Sequence, residues 1–310
     1  MDFDQVLDRL EIAPDPFAVC ELKCNCDVGL GQDTGATLHY ILSGQGEIVL
    51  RDRPALSVSE GSLVLIPAMW HHRMRSSGLS HNPAPACQPA ELELRRLLKD
   101  APGGDSGSHI VALCAHLRVG LRGAPDIVDL IRAPLYGHIA EAEGLAPVLQ
   151  ALLKELSAPQ PGSRAMIRAL LTQCLIDLIR RRSSRDALGA GWMNVLRDPA
   201  LWPSLRAMLD DPGAAHTVDS LAALSGMSRS SFAERFAAAY RIGPIELLRD
   251  LRIKKAGILL REGDLPVKRI AYFVGFSSRT AFTRMFERNT GVSPTDFRKG
   301  LGGSAPDGFD

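Results

Sequence analysis

Six cysteines offer the most chemistry in this 310-residue chain. Cys20, Cys24 and Cys26 stand together in "AVCELKCNCDVG", and Cys114 lies in "VALCAHLRV". Cys87 falls in "NPAPACQPA" and Cys174 in the apolar run "LLTQCLIDLI". A thiolate facing a resolving thiol closes a disulfide on oxidation, which would make this set a redox switch. Thiolates can instead hold a metal. Cys-x-x-x-Cys-x-Cys is not a standard zinc spacing by itself, so Cys87, Cys114 or His116 would have to complete the set. Buried thiols also serve simply as small hydrophobes. All three readings are open at the level of the residues.

A second constellation is a phrase that occurs twice. "LAALSGMSRSSFAERFAAAY" begins at Leu221, and "IAYFVGFSSRTAFTRMFERN" begins at Ile270. Each has an alanine four residues before its glycine (Ala222 and Gly226, Ala271 and Gly275). Each has two phenylalanines four apart (Phe232 and Phe236, Phe282 and Phe286). A short helix, a glycine turn and a serine-capped second helix make a helix-turn-helix, whose second helix enters the major groove of DNA. The polar positions left facing outward are Arg229, Ser230, Ser231, Glu234 and Arg235 in the first copy. In the second they are Arg279, Thr280, Thr283 and Arg284. The copies are joined by "PIELLRDLRIKKAGILLREG", which reads as one long helix. A rigid spacer suits a protein that reads two successive groove faces, about 34 Å apart.

The elements that must position these residues divide the chain. Residues 18–76 alternate apolar and polar residues in short runs. "LHYILSGQGEIVL" reads as two strands around a Ser-Gly-Gln-Gly turn, "GSLVLIP" as a strand ended by Pro67, and "HIVALCAHLRV" as another. Residues 76–108 are rich in Gly, Ser, Pro and Ala and read as an exposed, mobile insertion, with a short helix over Glu91–Lys99. From about Gly144 the period becomes helical. "SRAMIRALLTQCLIDLIRRR" aligns Ile167, Leu170, Leu171, Cys174, Leu175 and Leu178 on one stripe, which could pack on the sheet or on a second copy. "SSRDALGAGW" reads as a linker, and Asp198-Pro199 as the start of the next helix. The expected organisation is a domain over residues 1–186, a linker at 187–197, a second domain at 198–300 and a flexible tail at 301–310.

Bulk properties narrow the function classes. Between Val195 and Gly300 there are 17 Lys and Arg against 11 Asp and Glu, whereas residues 1–194 hold 19 against 22. The basic end is the one with the repeated phrase, which favours a polyanionic partner there. No apolar run approaches the roughly 20 residues of a membrane span, and "MDFDQVLDRLE" lacks a signal-peptide layout, so a cytoplasmic protein without membrane contact is expected.

The C-terminal hundred residues resemble the AraC/XylS family of transcription regulators. "LAALSGMSRSSFAERFAAAYRIGPIELL" and "IAYFVGFSSRTAFTRMFERNTGVSPTDFR" carry the likeness, including the extra residue between glycine and first phenylalanine in the second copy. The resemblance implies double-stranded promoter DNA as partner. Bases would be read from Ser230, Ala233, Glu234, Arg279, Thr280 and Arg284, with Arg229 and Arg235 on phosphates. Lys254, Lys255, Lys268 and Arg269 are further candidate phosphate contacts. Glu234 departs from the arginine that many members carry; it repels phosphate but can accept from cytosine N4.

The N-terminal half resembles the cupin-type sensory domain common in that family. Metal-binding cupins carry two histidines one residue apart, then a glutamate, then a later histidine. Here Ile41 stands where the second histidine belongs, leaving His39, Glu47 and His72 as an incomplete metal or ligand set. No cofactor is required by this reading; a metal at the thiolate or His/Glu positions is the one candidate, and a cupin enzyme is disfavoured. The domain also resembles a cupin subgroup whose members include a regulator of the response to reactive chlorine species. That likeness implies pairing of an early cysteine, Cys20 or Cys24, with Cys114 on a later strand. The expectation is therefore an α+β protein: a cupin-like antiparallel β-barrel with helices, followed by an all-α domain with two helix-turn-helix units. It would be a DNA-binding activator rather than an enzyme, answering to thiol oxidation or, alternatively, to a small molecule or a metal. RNA polymerase and a second copy of the chain would be its other partners.

Overall fold

The structure, a computed structural model, describes residues 8, 10–23, 27–30, 34–51, 53–76, 86–90, 93–94, 109–121, 133–141, 144–185 and 198–299. Cys24, Cys26, the linker at 187–197, the tail at 301–310 and most of the 76–108 insertion lie outside them. The described chain forms two compact units, one mainly of sheet with two helices and one mainly helical.

The sheet unit holds ten strands: β1 (Leu10–Pro14), β2 (Ala18–Lys23), β3 (Asp27–Leu30), β4 (Ala36–Leu50), β5 (Leu56–Ser59), β6 (Ser62–Ile66), β7 (His72–Ser76), β8 (Ala86–Pro89), β9 (His109–Leu121) and β10 (Leu135–His138). The main path runs β10-β6-β4-β9-β2-β8; β1 adds to β9, β5 and β7 to β4, and β3 to β7. The pairings along this path, and those of β3 with β7 and of β4 with β5 and β7, are antiparallel. This is the cupin-like antiparallel sheet expected. Ile41, Ile48, Leu50, Val64, Ile66, Met74, Ile110 and Cys114 meet in its core.

One expectation is corrected here. "LHYILSGQGEIVL" is one continuous strand, not a hairpin. Its first half pairs with β6 and β9 and its second half with β5 and β7. The Ser-Gly-Gln-Gly stretch looks like a turn because it is glycine-rich, yet the glycines serve close approach. Gly44 has φ +84° and its Cα faces the His109 carbonyl, where no side chain fits. A register shift between Ile41 and Ser43 marks a bulge. Without it Ile41 and Ile48, an odd number of residues apart, would point to opposite faces; with it both enter the core.

Two helices complete this unit, α1 (Leu145–Ser157) and α2 (Ser163–Arg185). On α2 the predicted stripe is buried at Leu171, Cys174, Leu175 and Leu178, while Ile167 and Leu170 are half-buried. Leu178 sits over Gly137 of β10, where a Cβ would come within 2.7 Å of its Cδ2. The helix runs past its three arginines to Arg185, into the stretch expected to be linker.

The second unit is helical: α3 (Trp202–Asp210), α4 (Val218–Leu224), α5 (Arg229–Tyr240), α6 (Pro244–Glu262), α7 (Val267–Phe273), α8 (Arg279–Thr290) and α9 (Pro294–Arg298). Asp198 does not cap α3, which starts four residues later. It closes the preceding turn instead, where the Ala200 amide donates to its Oδ1 at 3.1 Å. Among the described residues no helix is long and apolar enough to cross a membrane.

Candidate nucleic-acid interface and thiol site

The two repeated phrases fold into the same object. Helices α4 and α7 each end in a glycine turn, with Gly226 at φ +64° and Gly275 at φ +86°. The amide after each glycine donates back to the alanine five residues earlier: Met227 to the Ala222 carbonyl at 3.0 Å, and Phe276 to that of Ala271 at 2.9 Å. Both alanines are buried, so the helices close on each other there. Serine caps start the second helices, Ser228 accepting from the Ser231 amide and Ser278 from that of Ala281. The first unit also carries a reciprocal capping box, Thr217 with Ser220. Phe232 and Phe236 are fully buried with ring centroids 5.6 Å apart; Phe282 and Phe286 repeat the same distance and tilt. The extra residue of the second copy lies between Gly275 and Ser278, in the turn, so the helices themselves keep register.

Helix α6 ties the two helix-turn-helix motifs together through Arg252. Its guanidinium donates to the carbonyls of Pro212, Gly275 and Ala214 at 2.8, 2.9 and 2.9 Å. One side chain thus holds the loop before α4 and the turn before α8.

The outward faces of α5 and α8 expose Arg229, Ser230, Glu234 and Arg235, and Arg279, Thr280 and Arg284; Ala233 and Thr283 are half-buried beside them. The arginines differ in availability. Arg235 is clamped by Asp198 through two hydrogen bonds of 2.6 and 2.9 Å, which raises the pKa of its guanidinium further. Arg229 pairs with Asp219 at 3.1 Å. Arg279 and Arg284 carry no such partner among the described residues. Lys255, Lys268 and Arg269 are exposed, but Lys254 is 6% exposed, so it is not a surface phosphate contact. It lies on the packed side of α6, three residues after buried Leu251 and three before buried Gly257.

In the sheet unit the cysteines pair differently from the expectation. Cys20 on β2 is bonded to Cys87 on β8, with Cα atoms 4.1 Å apart. Cys114 is free. Strand register is the reason. β2 lies between β8 and β9, which places Cys20 opposite Cys87 on one side and opposite Ala112 on the other. Cys114 faces Ala18 on β2 and His39 on β4. Within the bonded pair Cys20 is buried and Cys87 is exposed.

Cys114 belongs instead to a chain of buried hydrogen bonds. The Trp70 carbonyl can only accept, so His72 Nδ1 carries the proton that bonds it at 3.1 Å. Burial pushes His72 down to about 4, so its Nε2 is free of a proton and accepts from His39 Nε2–H at 2.8 Å. Burial also holds His39 neutral, which leaves its Nδ1 to accept from the Cys114 thiol at 3.1 Å. The thiol itself is pushed up to about 12 by burial. All three groups are neutral and satisfied. Glu47 is not among them: it neighbours the core residue Ile48 and so points to the other face of β4. The metal reading does not fit these residues. Both His39 nitrogens are engaged, Cys20 and Cys87 are bonded, and no described group of three His, Cys, Asp or Glu side chains could hold an ion.

Residues 221–300 match the family model of a helix-turn-helix domain, and residues 3–183 that of the cupins. An AraC-like transcription regulator of Streptomyces lividans is 29% identical over 253 residues, 80% of this chain and 81% of its own. The RCS-specific HTH-type transcriptional activator RclR of Escherichia coli K12 is 26% identical over 280 residues, 90% of this chain and 89% of its own. The chain belongs to the AraC family of transcription regulators. The crystal structure of ToxT from Vibrio cholerae O395 has the same fold, with a TM-score of 0.52 at 12% identity, over 96% of this chain and 100% of that one.

This AraC-family chain is therefore a DNA-binding transcription regulator with a cupin domain, and like its relatives it is not an enzyme. The roles of three residues are not legible in the sequence: Cys87 stands there only among the thiols that could complete a metal set, Asp198 reads as a helix cap, and Arg252 gives no signal among the basic residues of α6.

Proposed function

We propose that this regulator is an activator controlled by oxidation of the Cys20–Cys87 pair. The observation that carries the reading is the β2–β8 register, which sets one buried and one exposed thiol directly opposite each other. The exposed Cys87 is the sulfur an oxidant reaches first. With hypochlorous acid, the Cys87 thiol takes the chlorine as sulfenyl chloride and releases water. Cys20 then displaces chloride, loses its proton and closes the S–S bond. A relative named as an RCS-specific activator supports an oxidant of that kind. Closing the bond staples β8 to β2, and the open and stapled forms of this pair would be the two states through which the signal biases DNA binding.

On the DNA side, Arg279, Thr280 and Arg284 of α8 and Ser230, Ala233 and Glu234 of α5 would read bases, with Arg229 and Arg235 on phosphates. RNA polymerase and a second copy of the chain are the partners that an activator of this family would need.

A gel-shift titration on the DNA upstream of the regulator's own gene tests the thiol reading, with reduced and hypochlorite-treated protein side by side. Wild type should change affinity or mobility on oxidation, Cys87→Ser should not, and Cys114→Ser should respond like wild type. A Cys87→Ser protein that still responds, or a wild type that never does, would remove this pair from control.

A further inference from the structure

The two helix-turn-helix motifs share one fold but not one charge. Aligning the buried alanines Ala222 and Ala271 places Asp219 of α4 where α7 has Lys268. Aligning the buried phenylalanines Phe232 and Phe282 places Glu234 of α5 where α8 has Arg284, and Arg235 where α8 has Met285. Asp219, Glu234, Lys268 and Arg284 are all exposed. Two outward positions thus change sign between the copies, while the residues that pack them do not.

The exchange decides which arginines are neutralised. In the first motif Arg229 pairs with Asp219 at 3.1 Å, and Asp198 holds Arg235 at 2.6 and 2.9 Å. An exposed pair such as Arg229–Asp219 adds little stability, but it sets a carboxylate beside the groups meant for phosphate. Over α4, α5 and Asp198, two arginines (Arg229, Arg235) stand against Asp198, Asp219 and Glu234, which leaves one negative charge. Over α7 and α8, Lys268, Arg269, Arg279, Arg284 and Arg288 stand against Glu287, which leaves four positive charges. Lys268, Arg269, Arg279 and Arg284 make no ion pair among the described residues.

We infer that the motifs divide the work unequally: α7 and α8 anchor the chain on DNA and read the sequence that defines its site, while α4 and α5 add little affinity and a weak sequence preference. Affinity for the backbone grows with the number of phosphates neutralised, and a guanidinium already facing a carboxylate brings no net positive charge to them. A free arginine can bond guanine through two hydrogen bonds, whereas the glutamate at the equivalent place repels phosphate. The inference rests on the base-reading role proposed above for both recognition helices, and assigns the larger share to α8.

Selection from random-sequence duplexes long enough to span two groove faces, with reduced and with oxidised full-length protein, tests this. The bound sequences should show one sharply defined box and, one helical turn away, a diffuse one. Asp219→Lys/Glu234→Arg, which gives the first motif the charges of the second, should sharpen the diffuse box and tighten binding about tenfold or more. Lys268→Asp/Arg284→Glu, the converse exchange, should erase the sharp box. All four positions are exposed, so the packed residues of both variants are unchanged. Two equally sharp boxes for wild type, or a sharp box that survives Lys268→Asp/Arg284→Glu, would overturn the division of labour while leaving base reading by both helices intact. A wild type that selects no box in either redox form would instead remove base reading itself, and the division with it.

Discussion

Arg252 and Gly275 are joined across the helical unit: the Arg252 guanidinium donates to the Gly275 carbonyl at 2.9 Å while its other nitrogens hold Pro212 and Ala214. The contact sets the second recognition turn against the loop that leads into the first. Lysine keeps the charge but cannot span three carbonyls. Arg252→Lys is expected to cost about 2 kcal/mol in urea unfolding of the regulator, since hydrogen bonds from charged groups are the stronger kind. Unchanged unfolding would show that the turn holds itself.

The two turn glycines separate backbone strain from crowding. Gly226 has positive φ and open space beyond its Cα, so Gly226→Ala should cost about 1 kcal/mol from the left-handed conformation alone. At Gly275 an added Cβ would lie 2.7 Å from the Arg252 guanidinium carbon and 2.8 Å from the Gly213 carbonyl oxygen. Gly275→Ala should therefore cost more than Gly226→Ala in the same thermal unfolding series, and equal costs would refute the crowding.

Asp198 holds Arg235 of α5 with two hydrogen bonds, so a DNA phosphate must compete with a carboxylate for that guanidinium. Asp198→Asn should raise affinity for DNA of any sequence and steepen the dependence on salt by about one counterion. A slope identical to wild type would mean that Arg235 never reaches phosphate.

Arg284 is exposed on α8 without a carboxylate partner among the described residues. Arg284→Ala should cost roughly 1–3 kcal/mol on the cognate site and little on scrambled DNA. Equal losses on both would reassign it to the phosphate backbone.

The buried histidines give the sheet unit a pH dependence. His72 titrates at about 4 when folded, because burial disfavours its charged form, and near 6.5 when unfolded. Above pH 6.5 both states are neutral and stability is complete. As pH falls from 6.5 to 4 the unfolded chain takes up the proton first, and about 3 kcal/mol is lost from His72 alone. His39, held neutral by burial, extends the loss in the same direction. Urea midpoints measured at pH 7.5, 6 and 5 should fall steadily, and His72→Gln should flatten the acid limb while lowering the plateau.

The helical unit was legible because its determinants are local. Capping serines, turn glycines and phenylalanines one helical turn apart act within a few residues, so Ser228, Gly226, Phe232 and their counterparts read the same in sequence and in space. Lys254 was misplaced because the amphipathic pattern of α6 does not say which of two neighbouring lysines the packing will cover. The glycine-rich stretch of β4 was misread for a related reason: a glycine needed for a turn and one needed for close approach to another strand look alike until the other strand is present.

The residues by themselves determined that this protein has two helix-turn-helix units, the spacing between them, and a strand-rich partner domain with thiols and histidines. Only the tertiary structure decided which of those side chains meet. Cys20 pairs with Cys87 rather than Cys114, His39 bonds Cys114 and His72 rather than sharing a metal with Glu47, and Asp198 reaches Arg235. Each depends on partners more than 30 residues apart. In a sheet, strand order and a single bulge choose the face and the neighbour of every residue, and neither is encoded in local spacing.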